Sequence, residues 1–116
     1  MNNPESQPNR PVWQAESDHP ELVEKFKEAM REIIDPEIGL DIIQLGLIRD
    51  LVIEDQMVVI TMILTTPFCP YGPAMIETTR EKAEKAMERP TSITFGSEVW
   101  DFSMMEEGAA PDWGLY

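Results

Sequence analysis

The chain has 116 residues, of which 42% are hydrophobic and 27% charged, and its formal net charge is −13. This length predicts one modest core, and the acidic charge argues against nucleic acid and anionic membranes as partners, because both need a basic surface. The single cysteine excludes an internal disulfide, and no signal-peptide pattern or membrane-spanning apolar run is present, so we expect a cytoplasmic protein.

Residues 1–18 are rich in Asn, Gln, Pro and Ser, which predicts a disordered arm that Val12 and Trp13 could attach to the rest of the protein. A first helix is predicted over residues 20–34. Its apolar residues recur at the spacing of one helical face: Leu22, Val23, Phe26, Ala29, Met30, Ile33 and Ile34. We expect this helix to end before Asp35-Pro36, because the residue that precedes a proline is disfavoured in helical geometry.

Two strands are predicted over residues 47–54 and 57–65, joined as an antiparallel hairpin. A second helix is predicted over residues 73–89 and a third strand over residues 91–95, parallel to the second strand because a helical crossover joins them. The order α-β-β-α-β predicts an α+β fold, a two-layer sandwich with helices on one face of a small mixed sheet. We therefore expect a domain over residues 19–96 and an irregular aromatic and acidic tail, residues 97–116, that packs on it.

Cys69 lies in the loop predicted between the second strand and the second helix. The positive end of a helix dipole favours ionisation of a nearby thiol, and the thiolate is the form that binds metals. A lone cysteine is also often a small buried apolar residue without a chemical role. Cys69 is thus the main candidate for chemistry in this sequence.

Several short motifs occur in an order and spacing that resemble the PaaD/SufT-type family of iron–sulfur cluster assembly factors, the metal–sulfur cluster biosynthesis domain. They are Asp35-Pro36-Glu37, Gly39, Leu45-Gly46-Leu47-Ile48 and Met62-Ile63-Leu64-Thr65-Thr66-Pro67-Phe68-Cys69-Pro70. The resemblance covers about residues 20–100. It implies an α+β domain similar to the C-terminal domain of NifU-type scaffolds. It also implies a role in iron–sulfur cluster assembly, targeting or delivery, without enzymatic turnover.

The resemblance also implies a site made of Cys69, the candidate iron or iron–sulfur ligand, the acidic pair Asp35 and Glu37, and a strand-end threonine, Thr65. A carboxylate and a hydroxyl near the thiol could orient a metal-bound thiolate or ligate iron through oxygen. One cysteine cannot complete a cluster site, because clusters ordinarily take about four ligands. We therefore expect iron or an iron–sulfur cluster to be bound transiently and shared with a partner: a client, another assembly protein or a second copy in a homodimer.

Two alternatives remain open from the residues alone. A thiol protein that transfers persulfide needs no base beside Cys69, which suits a chain whose one histidine, His19, is far away in sequence. The other alternative is a pure protein-interaction module in which Cys69 is structural and the acidic, aromatic tail binds the partner.

Overall fold

The computed structural model describes residues 12–66 and 70–106. Its elements are α1 (Gln14–Asp18), α2 (Pro20–Met30), α3 (Ile42–Leu45), β1 (Ile48–Ile53), β2 (Val58–Met62), α4 (Gly72–Met87), β3 (Thr91–Phe95) and a 3₁₀ helix (Phe102–Met104). The predicted α-β-β-α-β order corresponds to α2, β1, β2, α4 and β3, and the α+β fold class is confirmed. No helix in the described ranges is long and apolar enough to span a membrane.

The three strands form one mixed sheet in the order β1-β2-β3. Leu51 of β1 lies opposite Ile60 of β2 in the antiparallel pair, and Ile60 lies opposite Ile93 of β3 in the parallel pair. The parallel direction of the third strand is therefore confirmed. Its cause is the crossover through α4, which returns the chain to the same end of the sheet before β3 begins.

One face of the sheet packs against the helices and forms the core. Alternate residues of β2 are fully buried on this face, because successive side chains of a strand point to opposite sides. From α2, Phe26 and Met30 are buried in the same cluster, and α2 contacts α4. Each such side chain contributes about 1.5–3 kcal/mol through removal from water. This core fixes the positions of the loops that follow α2 and β2.

Residues 12–18 of the predicted disordered arm are folded. Trp13 is buried, its indole Nε1 donates to the carbonyl oxygen of Ile48 at 3.0 Å, and its ring meets Phe26 edge-on. The amide of Gln14 donates to the side chain of Asp50. Composition predicted disorder here, but the buried side chains of Trp13 and Ala15 and the bond to Asp50 hold this segment against β1. The earlier residues of the arm lie outside the described ranges.

The first long helix ends at Met30, earlier than predicted. Beyond it, the carbonyl of Ile33 accepts a hydrogen bond from the amide of Ile42 at 3.0 Å, and the amide of Asp35 donates to the carbonyl of Leu40 at 2.9 Å. These bonds need extended backbone, which the approach to Pro36 favours. The last residues of the predicted helix therefore pair with a neighbouring segment.

The short helix α3 was not predicted. Asp41 caps it: its side chain accepts from the amide of Gln44 at 2.7 Å, and the Gln44 side chain accepts from the amide of Asp41 at 3.0 Å. This reciprocal arrangement is a capping box. The helix ends at Gly46, whose φ of +75° is in the left-handed region.

The described part of the predicted tail, residues 97–106, crosses back over the domain. Trp100 donates from its indole Nε1 to the carbonyl of Leu45 at 2.7 Å. Arg31 makes two hydrogen bonds to the carboxylate of Glu106, at 3.0 and 2.7 Å. The hydrogen bond to Glu106 is the largest influence that raises the pKa of Arg31, and burial opposes it. The remainder of the tail lies outside the described ranges.

Candidate functional site

The loop that follows α2 folds tightly around Asp35. The carbonyl of Asp35 accepts from the amide of Gly39 at 2.7 Å, and the amide of Asp35 donates to the carbonyl of Leu40 at 2.9 Å. Gly39 has a φ of +86°, which glycine adopts without strain, and Pro36 has a φ restricted by its ring. The backbone of this loop is thus held in one conformation with Asp35 at its base.

The carboxylate of Asp35 is buried, with only 1% of the residue exposed. Its Oδ1 accepts from the amides of Glu37 at 2.9 Å and Ile38 at 3.3 Å, an arrangement typical of Asp at turns. Its Oδ2 accepts a longer hydrogen bond from the hydroxyl of Thr65 at 3.4 Å. Three donors therefore surround the carboxylate, and it links the loop after α2 to the loop after β2.

Thr65 was predicted to end the second strand, but β2 already ends at Met62. The hydrogen-bond ladder stops where the amide of Gly96 donates to the carbonyl of Met62 at 2.9 Å, and β3 has already ended at Phe95. Thr65 lies three residues beyond the strand, in a half-buried bend. It nevertheless reaches Asp35, so these two predicted site residues lie side by side.

Cys69 lies outside the described residues, together with the two residues before it. The flanks of this segment are both held against the domain. On one side Thr65 bonds to Asp35. On the other side Gly72, the first residue of α4, approaches Leu64 so closely that a Cβ there would lie 2.9 Å from a methyl of Leu64. The role of Cys69 stays a prediction.

Glu37 differs from Asp35 in its surroundings. Its amide donates to Asp35, but the residue is exposed. Of the four predicted site residues, the structure joins Asp35 and Thr65 through their side chains and Glu37 through its backbone. In the two described ranges, no three His, Cys, Asp or Glu side chains lie close enough together to hold a metal ion.

A cavity of about 320 Å³ lies beside Thr65 and was not predicted. Its walls come from three separate segments: Ile63, Leu64 and Thr65 after β2, Phe95 and Gly96 at the end of β3, and Glu98, Val99 and Trp100 in the tail. Phe95 and Val99 are 56% and 83% exposed, so apolar surface lies open next to the candidate site. Sequence reasoning missed the cavity because no single segment contains it.

Asp35→Ala is expected to lower the free energy of unfolding by about 1–3 kcal/mol, because it leaves the amide of Glu37 and the hydroxyl of Thr65 without their part-buried acceptor. The amide of Ile38 loses one of its two acceptors and keeps the backbone carbonyl of Asp35. Asp35→Asn keeps an amide oxygen for the two backbone donors and should cost less than about 1 kcal/mol. Urea unfolding followed by circular dichroism measures both values.

The matched control is Glu37→Ala, whose exposed side chain should contribute less than about 0.5 kcal/mol. Equal and small losses for Asp35→Ala and Glu37→Ala would contradict the assignment of Asp35 as the residue that holds the two loops together.

Three comparisons with known proteins bear on this domain. The model of a family described as iron–sulfur cluster assembly protein matches residues 24–95. An Fe-S protein maturation auxiliary factor from Porphyromonas gingivalis is 35% identical over 96 residues, which cover 79% of this chain and 90% of that protein. The Fe-S protein maturation auxiliary factor YitW from Bacillus subtilis is 40% identical over 57 residues, 48% of this chain. That match spans 56% of YitW, about half of its length.

A solved structure supports the fold. A domain of unknown function from Bacillus anthracis superimposes with a TM-score of 0.70 over 80% of this chain and 92% of that one, at 23% identity. The family model covers the loop after α2, the hairpin, α4 and β3, including all four predicted site residues. The chain therefore belongs to the iron–sulfur cluster assembly protein family.

Proposed function

We propose that this protein is an Fe-S protein maturation factor that holds iron or an iron–sulfur cluster transiently through Cys69 and passes it to a client protein. Family membership and the names of the relatives from P. gingivalis and B. subtilis support the role in maturation. The observation that carries the proposal for the site is the buried carboxylate of Asp35. It bonds to Thr65, four residues before Cys69.

The small number of protein ligands explains why such a site would pass its iron or cluster to another protein. The chain contributes one thiol, whereas a cluster ordinarily takes about four protein ligands. The missing ligands would come from a client, from a small thiol or from a second copy of the chain. An incomplete ligand set binds more weakly than a closed site, and a client with more cysteines can therefore remove the cargo.

The two acidic residues have different parts in this proposal. Asp35 is a positioning residue, because its oxygens already accept hydrogen bonds from two amides and a hydroxyl. Those bonds would hold the residues before Cys69 in place before iron or a cluster binds. Less conformational entropy would then be lost on binding. Glu37 has an exposed side chain, and we assign it as the carboxylate that supplies an oxygen ligand to iron.

Alkylation of Cys69 tests this proposal, because the chain has a single cysteine and intact mass then reports one site. In the folded protein without metal, we expect complete modification by iodoacetamide. Anaerobic addition of Fe²⁺ should slow the modification by about tenfold or more, because a metal-bound thiolate is a poorer nucleophile. Mg²⁺ serves as the control cation, since it prefers oxygen ligands and should give no protection.

Glu37→Gln separates the two acidic residues in the same assay. It replaces the proposed carboxylate ligand by a neutral amide, a weaker ligand for iron, without changing the backbone bond to Asp35. Iron should therefore protect Cys69 less well in this variant. An alkylation rate that is the same with and without Fe²⁺ in the wild-type protein would contradict iron binding at Cys69.

A further inference from the structure

The strand β3 forms one edge of the sheet, next to β2. In a parallel ladder, alternate residues of a strand direct their backbone groups to the neighbouring strand. The amide of Gly96 donates to the carbonyl of Met62, so the even-numbered residues of β3 face β2, and Ile93 and Phe95 face away from it. Within residues 12–66 and 70–106, the backbone N–H and C=O groups of Ile93 and Phe95 have no hydrogen-bond partner.

The two edges of the sheet differ in which parts of the chain lie against them. At the β1 edge, Trp13 donates to the carbonyl of Ile48, and α1 lies against the strand. The tail leaves β3 and runs towards the β1 side, where Glu98 forms an ion pair with Arg49 at 3.1 Å. Among the elements in the described ranges, β2 and α4 make the main contacts with β3, and no strand pairs with its outer edge.

β3 also lacks the sequence and structural features that usually prevent an edge strand from pairing with another chain. Its sequence, Thr-Ser-Ile-Thr-Phe, contains no charge and no proline, and its register with β2 is regular over all five residues. Charges, prolines and bulges are the common means of protecting such edges. An unprotected edge of this length is a template for strand addition.

We propose that β3 pairs with β3 of a second copy of this chain, antiparallel and centred on Ile93, to form a two-fold symmetric dimer with a continuous six-stranded sheet. The inference goes beyond the proposed function and does not depend on it. It assigns an interaction surface, the outer edge of β3, and a partner.

The strand is complementary to itself in this register. Ile93 lies opposite Ile93, Ser92 opposite Thr94, and Thr91 opposite Phe95, so no charge faces a charge and pairs of hydroxyl side chains can interact. The amide of Thr91 is already bonded to the side chain of Glu84 at 3.1 Å. The interface would therefore contain four backbone hydrogen bonds, donated by Ile93 and Phe95 of each copy.

The net charge distinguishes a second copy from another partner. Two chains of −13 repel each other, and salt screens this repulsion, since the Debye length falls from about 30 Å at 0.01 M to about 10 Å at 0.1 M. The self-dimer should therefore tighten as salt is raised. A basic strand from a different protein would bind this acidic chain more weakly in salt.

Sedimentation equilibrium of the full chain tests the proposal. The wild-type protein should approach twice the 13.3 kDa of one chain as its concentration rises. Ser92→Glu combined with Thr94→Glu places like charges opposite each other twice across the symmetric interface, and should weaken the dimer by about tenfold or more. Ser92→Glu combined with Thr94→Lys places Glu opposite Lys, and should restore dimerisation.

Both side chains are exposed in the single chain, so all variants should keep the circular dichroism spectrum of the wild-type protein. A wild-type mass of one chain up to about 0.5 mM, where even millimolar affinity would be visible, would overturn the proposal. A dimer that the double-glutamate variant does not weaken, or that the Glu/Lys variant does not recover, would overturn it too. Dimerisation weakened by salt would do the same.

Discussion

Replacing Gly46 with alanine is expected to lower the free energy of unfolding by about 2–5 kcal/mol, from strained backbone and overpacking together. Gly46 ends α3 with a φ of +75°, where an L side chain costs about 1–2 kcal/mol. A Cβ at this position would also lie 2.7 Å from the carbonyl carbon of Met104. Met104 and Met105 are buried, so the tail would have to move away and expose them. Urea unfolding followed by circular dichroism measures the loss.

Gly39→Ala is the matched control for this prediction. Gly39 also has a positive φ, +86°, but a Cβ there would meet nothing within 4 Å. It should therefore cost only the backbone strain of about 1–2 kcal/mol, and the difference between the two variants isolates the contact with the tail. Equal losses for Gly46→Ala and Gly39→Ala would show that the tail does not pack against α3 in solution.

The elements of the fold could be predicted from the sequence where apolar periodicity extends over several turns or strand residues. The first long helix and the hairpin are of this kind, and the predicted third strand matches β3, Thr91–Phe95. The parallel direction of β3 followed from the helical crossover. Element ends were less well predicted, because pairing with a distant segment decides them: Ile33 bonds to Ile42, which no local pattern reveals.

Two features were missed for different reasons. The helix α3 has four residues, too few to display a helical period, but Asp41 with Gln44 three residues later and Gly46 after the end is a readable capping signal. Composition predicted a disordered arm over residues 1–18 and named Trp13 as a residue that could attach it to the protein. The helix α1 that follows Trp13 was not predicted, because Ala15 is buried and Gln14 is bonded only through contacts with distant residues.

The candidate site was also predicted only in part from the sequence. The four site residues were named from a family resemblance, whereas the contact between Asp35 and Thr65 joins positions 30 residues apart and needed the structure. The structure also changed the part assigned to Asp35. Its carboxylate is buried and already accepts three hydrogen bonds, which favours positioning over iron ligation. The cavity beside Thr65 was beyond sequence reasoning, since three segments build it.

Cys69→Ala is expected to abolish the maturation of an iron–sulfur client while leaving the fold intact. The substitution removes the chain's only thiol, and no other side chain can supply a soft sulfur ligand of the same kind. Asp35→Asn, which keeps an acceptor for the two backbone donors, should leave maturation partly active. The readout is the specific activity of an iron–sulfur enzyme, per amount of its protein, in cells that carry only the variant gene.

The transfer of a cluster through Cys69 can be measured as the rate of cluster insertion with purified components. Wild-type or Cys69→Ala protein is incubated anaerobically with iron and sulfide, the apo form of an iron–sulfur client is added, and the return of client activity is followed. We expect the wild-type protein to accelerate activation over free iron and sulfide, and Cys69→Ala, with an unchanged circular dichroism spectrum, not to do so. Activation by Cys69→Ala at the wild-type rate would show that the cluster is not transferred through Cys69.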